Sequence, residues 1–112
     1  MTDRTLQLRP LAQADIDAIL AYLRAEGGPG LAGKFAQLLE DALRTLATHP
    51  AIGSRRYADL LGIPWLRSWP IKQSAYLVFY VDDAGQLDIW RVLHARRDIS
   101  ALLGEGDSPD AE

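Results

Sequence analysis

Residues 76–93 read YLVFYVDDAGQLDIWRVL, and the fold turns on how this stretch is read. Tyr76 to Val81 is apolar or aromatic at every position, as expected of a central strand covered on both faces. Asp82-Asp83-Ala84-Gly85 is turn chemistry, so the strand doubles back into a second one from Leu87 to Leu93. On simple alternation Arg91 shares a face with Leu87, Ile89 and Leu93, which predicts a partly buried stem. A guanidinium held there needs an acidic or carbonyl partner, and Asp15, Asp17 and Asp98 are the candidates. A structural ion pair and a partner-contact surface are both open readings for Arg91.

Upstream of this hairpin, Trp65 to Ile71 alternates imperfectly and contains Pro70, which places a further strand at a sheet edge or bulge. Trp65 and Trp69 then share a face with Arg67. Ala51 to Gly62 loses all periodicity and reads as a loop. Before it, Leu31, Phe35, Leu38, Leu39, Ala42, Leu43 and Leu46 keep helical spacing until His49-Pro50. Ile16, Ile19, Leu20 and Leu23 mark an earlier helix, with Asp15 and Asp17 in its first turns, where the helix dipole favours carboxylates. Gly27-Gly28 ends that helix and Pro29 opens the next, so the two should pack as an antiparallel hairpin. Thr5 to Arg9 alternates as a short strand stopped by Pro10. The expected architecture is α+β, in the order β-α-α-β-β-β: an antiparallel-rich sheet with a helical hairpin on one face.

With 112 residues the chain suits one domain, taken as 1–103, and 104–112 forms an acidic tail too polar to pack. Asp98 to Leu103 is expected to form a short helix with Asp98 as its N-cap. The absence of cysteine removes thiol nucleophiles, disulfides and thiolate zinc sites. No metal or cofactor is expected, and with no signal-like or spanning apolar run a cytoplasmic protein is the default. The net charge is −3, yet the cationic groups cluster in residues 55–97, notably at the junction His94-Ala95-Arg96-Arg97. A general nucleic-acid binder would be basic overall, so direct nucleic-acid binding without a partner is not expected.

Element order, length and the segments LRPLAQADIDAILAYL, LATHPAIG and YLVFYVDDAGQLDIWRVLHARRDI resemble the RelE/ParE toxins of bacterial toxin–antitoxin operons, and the ParE branch in particular. The resemblance spans about residues 5 to 103. It implies a small toxin held inactive by a ParD-like antitoxin from the same operon, with DNA gyrase as its target. RelE-like relatives cleave mRNA on the ribosome instead. A third possibility is a non-toxic module kept for antitoxin binding.

The ribonuclease alternative needs a proton acceptor, a proton donor and cations around the phosphate. His94 is the histidine placed for it, with Arg67 or Arg96 for charge and Tyr80 for a hydroxyl; Arg91, Arg97 and Lys72 are further cations. A histidine at a strand end equally serves to cap a local carbonyl, and His49 closes a helix. On the binding reading, Trp65, Arg67, Arg91, His94, Arg96 and Arg97 form target or antitoxin contacts, since tryptophan and arginine dominate interface energetics. The Pro70 edge and the groove along the helical hairpin are the natural seats for an antitoxin segment. Trp90 is expected to pack in the core.

Overall fold

The computed structural model describes residues 4–97, 99 and 101–103. Its elements run β1 (Thr5–Leu8), α1 (Pro10–Thr48), a single 3₁₀ turn (Pro50–Ile52), α2 (Arg56–Leu61), β2 (Arg67–Pro70), β3 (Tyr76–Asp83) and β4 (Gln86–His94). Residues 99 and 101–103 are helical, as the sequence suggests for that segment. Asp98 and the 104–112 tail lie outside the described residues.

The helical run α1 is two helices that meet at Gly28, where φ is 81° and ψ −177°. That backbone region is open essentially to glycine alone. A continuous 39-residue helix would be about 58 Å long at ~1.5 Å per residue. The molecule's longest extent is only 41 Å, and the Arg4 amide donates to the Ala47 carbonyl at 3.0 Å. The arms therefore fold back on each other as a hairpin, with Pro29 as the first residue of the second arm. Pro10 likewise sits at the first position of the first arm rather than simply ending β1. Because that arm begins at Pro10, Asp15 and Asp17 are its sixth and eighth residues, beyond the first turn; Asp17 accepts from Gln13, and Asp15 faces the sheet.

The sheet order is β1-β4-β3-β2, with β1 parallel to β4 and the other two pairings antiparallel. The β3–β4 turn is the two residues Ala84 and Gly85, both with positive φ (47° and 85°), the twist that matches a tight hairpin. Val78, Tyr80, Leu87, Ile89 and Val92 face the α1 arms and pack on Ile16, Ile19, Phe35, Leu39 and Leu46. The opposite face is also covered: Phe79 and Leu93 pack with Ala58, Leu66, Ile99 and Leu103.

Two expectations are corrected here. The 51–62 segment is no loop, since it contains the 3₁₀ turn and α2. With only six residues α2 is too short for a periodic signal; Ala58, Tyr57 against Phe79, and the left-handed Gly62 at its end hold it by tertiary packing. The second correction concerns β4. Phe79 pairs with Arg91 but Tyr80 pairs with Ile89, so Trp90 is the extra residue of a β-bulge. The bulge shifts the alternation by one. Leu87 and Ile89 face the α1 hairpin, whereas Arg91 and Leu93 pair with the opposite-face residues Phe79 and Leu77.

Candidate functional site

The residues singled out in the sequence fall into two groups, one at the first end of β3 and one about its middle. His94 pairs with Tyr76, the first residue of β3, from the β4 side, and Arg67 pairs with Tyr80 from the β2 side. Tyr76 and Tyr80 are four residue steps apart, about 13 Å at ~3.4 Å per residue, and the two strands that flank β3 add a lateral separation.

At the first end, a groove of about 580 Å³ opens between the first arm of α1 and the end of β4. Ile19, Leu23, Val92 and Leu93 give it an apolar lining, and Tyr22, Tyr76, His94 and Arg97 complete it. Its foundation is an ion pair. Arg91 is only 8% exposed and meets Asp15 through two bonds, Nε to Oδ2 at 2.7 Å and Nη2 to Oδ1 at 2.9 Å. Asp15 Oδ2 also accepts from the Val92 amide at 3.0 Å. The physical reason lies in the sheet: β1 stops pairing at Ile89, so the outer edge of β4 beyond it lacks a strand. The Asp15 carboxylate serves one amide of that edge in the strand's place. Arg91 Nη1 reaches the Leu102 carbonyl at 3.0 Å, tying the C-terminal turn to the same pair. Of the described partners considered for Arg91, Asp15 pairs with it, and Asp98 lies outside the described residues.

His94 packs edge-on against Tyr76, with ring centroids 5.2 Å apart, and its Nδ1 accepts from the Arg96 amide at 3.1 Å. It thus serves a backbone N–H rather than a carbonyl, which fixes Nδ1 as the unprotonated nitrogen of the neutral ring. Arg96 and Arg97 are exposed on the turn that follows. Burial, reinforced by nearby Tyr22 and opposed by Arg97, holds the Tyr76 hydroxyl above its usual pKa.

About the middle of β3, Tyr80 is fully buried. Its hydroxyl donates to the Pro50 carbonyl at 2.7 Å and accepts from the Gly53 amide at 2.9 Å. Burial pushes its pKa up, and the Gly53 amide and Arg67 pull the other way. Arg67 Nη1 donates to the Ala51 and Gly53 carbonyls, at 3.1 and 3.0 Å. Both side chains therefore shape the Pro50–Ile52 turn. Trp65 is not on the strand with Arg67, because β2 starts at Arg67; it occupies the preceding turn, 70% exposed, beside Arg55. Trp69 packs against the α1 side of the sheet. Trp90 is half-buried, donating to Asp88 at 3.2 Å beneath the Arg9 guanidinium. Sequence reasoning missed Arg55, whose only signal was its place in a segment without periodicity.

Among the described residues there is no cluster of three or more metal-ligating side chains, and no helix is long and apolar enough to cross a membrane. The family described as "ParE toxin of type II toxin-antitoxin system, parDE" matches residues 6–99. A solved structure titled "Chromosomal ParDE TA system from P. aeruginosa" is similar in fold, with a TM-score of 0.69 and 19% identity, covering 81% of this chain and 95% of that one. No curated protein matches.

Proposed function

Since the chain belongs to the ParE toxin family of type II toxin–antitoxin systems, we propose that it acts in the cytoplasm by binding and inhibiting DNA gyrase, and that a cognate ParD-like antitoxin blocks it. The observation that carries a binding mode over mRNA cleavage is the dispersal of the residues a ribonuclease would need. His94 and Arg96 sit at one end of β3, and Arg67 pairs with its middle, about 13 Å further along and from the strand on the opposite side. Tyr80 has both of its hydrogen-bonding functions committed in the core. The His94 Nδ1 lone pair is taken by the Arg96 amide. Acid–base catalysis needs its groups within hydrogen-bond reach of one reacting atom.

The antitoxin's seat on this reading is the groove beside the first arm of α1. Its apolar lining suits the hydrophobic side of an extended or helical segment, and Arg97 supplies a cation at the margin. The deciding experiment is a supercoiling assay with purified chain, gyrase, relaxed plasmid and ATP. Loss of supercoiling or trapped cleaved DNA is expected. Folded chain that leaves gyrase untouched, yet cleaves mRNA on ribosomes in a manner lost with His94→Ala, would overturn the proposal in favour of the ribonuclease. Growth unaffected by expression without antitoxin would leave only the non-toxic binding module.

A further inference from the structure

The Trp65 end of the sheet is built for contact and lies outside the groove just described. Trp65 follows Pro64 in the turn leading into β2, and its indole is the most exposed large apolar side chain among the described residues. Two guanidiniums share its pocket of about 340 Å³. Arg55 Nη2 is held by the Pro64 carbonyl at 2.8 Å, and Arg67 Nη1 by the carbonyls of the 3₁₀ turn. Carbonyl anchoring fixes the position of each fork while leaving its remaining N–H donors and its full charge unspent. Among the described residues, neither has a carboxylate within ion-pair distance; the pairs formed use Arg4, Arg9, Arg44 and Arg91. Asp82 lines the same pocket but is engaged by Arg4 at 2.8 Å.

Isolated exposed apolar residues are ordinary on a protein surface. This one is different in sharing its pocket with two carbonyl-anchored arginines that have no carboxylate partner among the described residues, the pairing of residue types that supplies interface hot spots. We propose that the Trp65–Arg55–Arg67 pocket is the surface by which this chain grips its target protein, and that the target presents an acidic segment there with an apolar recess for the indole. The inference rests on the proposed gyrase target and assigns it a face separate from the antitoxin groove. A protein partner fits better than a phosphate backbone for two reasons. The exposed indole calls for an apolar recess, which a phosphate backbone does not present, and a chain of net charge −3 lacks the overall basic character of a nucleic-acid binder.

The test compares wild type, Trp65→Ala and Arg55→Glu in the supercoiling assay at two salt concentrations, with thermal melts to show that each variant is folded. Both changed side chains are exposed, so the fold should survive. Trp65→Ala should raise the half-inhibiting concentration by about 30-fold or more, the scale of a hot-spot truncation. Arg55→Glu should raise it about tenfold and flatten its salt dependence, since the unspent charge is what steers association. If wild type inhibits and folded Trp65→Ala inhibits equally well, the surface is wrong while the gyrase reading stands. If wild type has no effect on gyrase, both fall. A third arm titrates a fluorescent duplex DNA: tight binding by wild type that both variants lose would make this a nucleic-acid surface and overturn the protein-partner assignment.

Discussion

Replacing Asp15 with alanine should be among the most damaging single changes in this chain. The carboxylate receives two N–H groups of Arg91 and the amide of Val92, at 2.7–3.0 Å, and the two side chains are 10% and 15% exposed. Removal takes a bidentate carboxylate from a buried guanidinium and leaves an edge amide without an acceptor. Breaking one side of such a pair costs roughly 3–5 kcal/mol. Arg91 keeps its bond to Leu102, so the lower end, about 3 kcal/mol, is the appropriate figure here. For a chain of this size that lowers the melting temperature by on the order of 12 °C, taking ~4 °C per kcal/mol. Arg91→Met should cost less than Asp15→Ala, because the stranded Asp15 still accepts from Val92 and is nearer solvent. The double variant Asp15→Ala/Arg91→Met should recover part of the loss, since both charges of the pair are then removed together. Urea denaturation of all four proteins gives the coupling energy directly. A value near 2 kcal/mol or above is expected; one under about 0.5 kcal/mol would refute the view that this pair, rather than general packing, fastens α1 to β4.

Two further outcomes follow from buried or unusual backbone positions. Tyr80→Phe should cost about 1–3 kcal/mol in urea denaturation, because the Gly53 amide and the Pro50 carbonyl lose their shared partner. Since the folded-state pKa of Tyr80 is raised above its ordinary 10.0, its contribution is complete below that pH and disappears as pH climbs towards the folded value; the variant should show a shallower alkaline decline, with Tyr76 retaining part of it. Ala84→Asn should stabilise by about 1 kcal/mol, since φ of 47° suits asparagine better than alanine at the first position of this hairpin turn, and a melting temperature that falls instead would contradict the turn geometry.

How much of this was legible depends on the range of the interaction involved. The helical arms, the break at Gly27-Gly28 and the β3–β4 hairpin announce themselves through periodicity and turn residues, which are local properties. The bulge at Trp90 does not: nothing in IWRVL distinguishes it from plain alternation, and it becomes visible only when β3 supplies the register. It changes which face Arg91 occupies, yet the sequence-derived need for an acidic partner survived, because the requirement comes from burying a guanidinium and not from the face. The same distinction explains α2, whose six residues are shaped by Phe79 and Leu66 rather than by their own pattern. Tyr80 looked available because a tyrosine in a strand advertises a hydroxyl; only the path of residues 50–53 over it reveals that the hydroxyl is spent.

On the proposed function, the separation of the His94 groove from the Trp65 pocket has a consequence for how the chain can be controlled. A single antitoxin segment lying in the His94 groove would leave Trp65 open unless it also travelled along the sheet. Inhibition then requires either a segment long enough to reach both sites, or a target footprint large enough to collide with an antitoxin bound at one of them. Trp65 precedes Arg67 by two residues, so about six residue steps along the sheet (~20 Å) and two strand spacings across it separate His94 from Trp65; at ~3.3–3.6 Å per residue that takes roughly seven extended residues. The edge strand β2 ends at Pro70, which has no N–H to offer, and this limits how far an added strand can continue along that side. The route along the β4 edge is closed differently, by β1 up to Ile89 and by Asp15 at Val92. Steric collision with a large target is therefore the mode that asks least of the antitoxin. It predicts that an antitoxin fragment confined to the His94 groove protects gyrase fully while leaving Trp65 fluorescence unchanged; a shift in that emission on binding would instead show that the fragment reaches across the sheet.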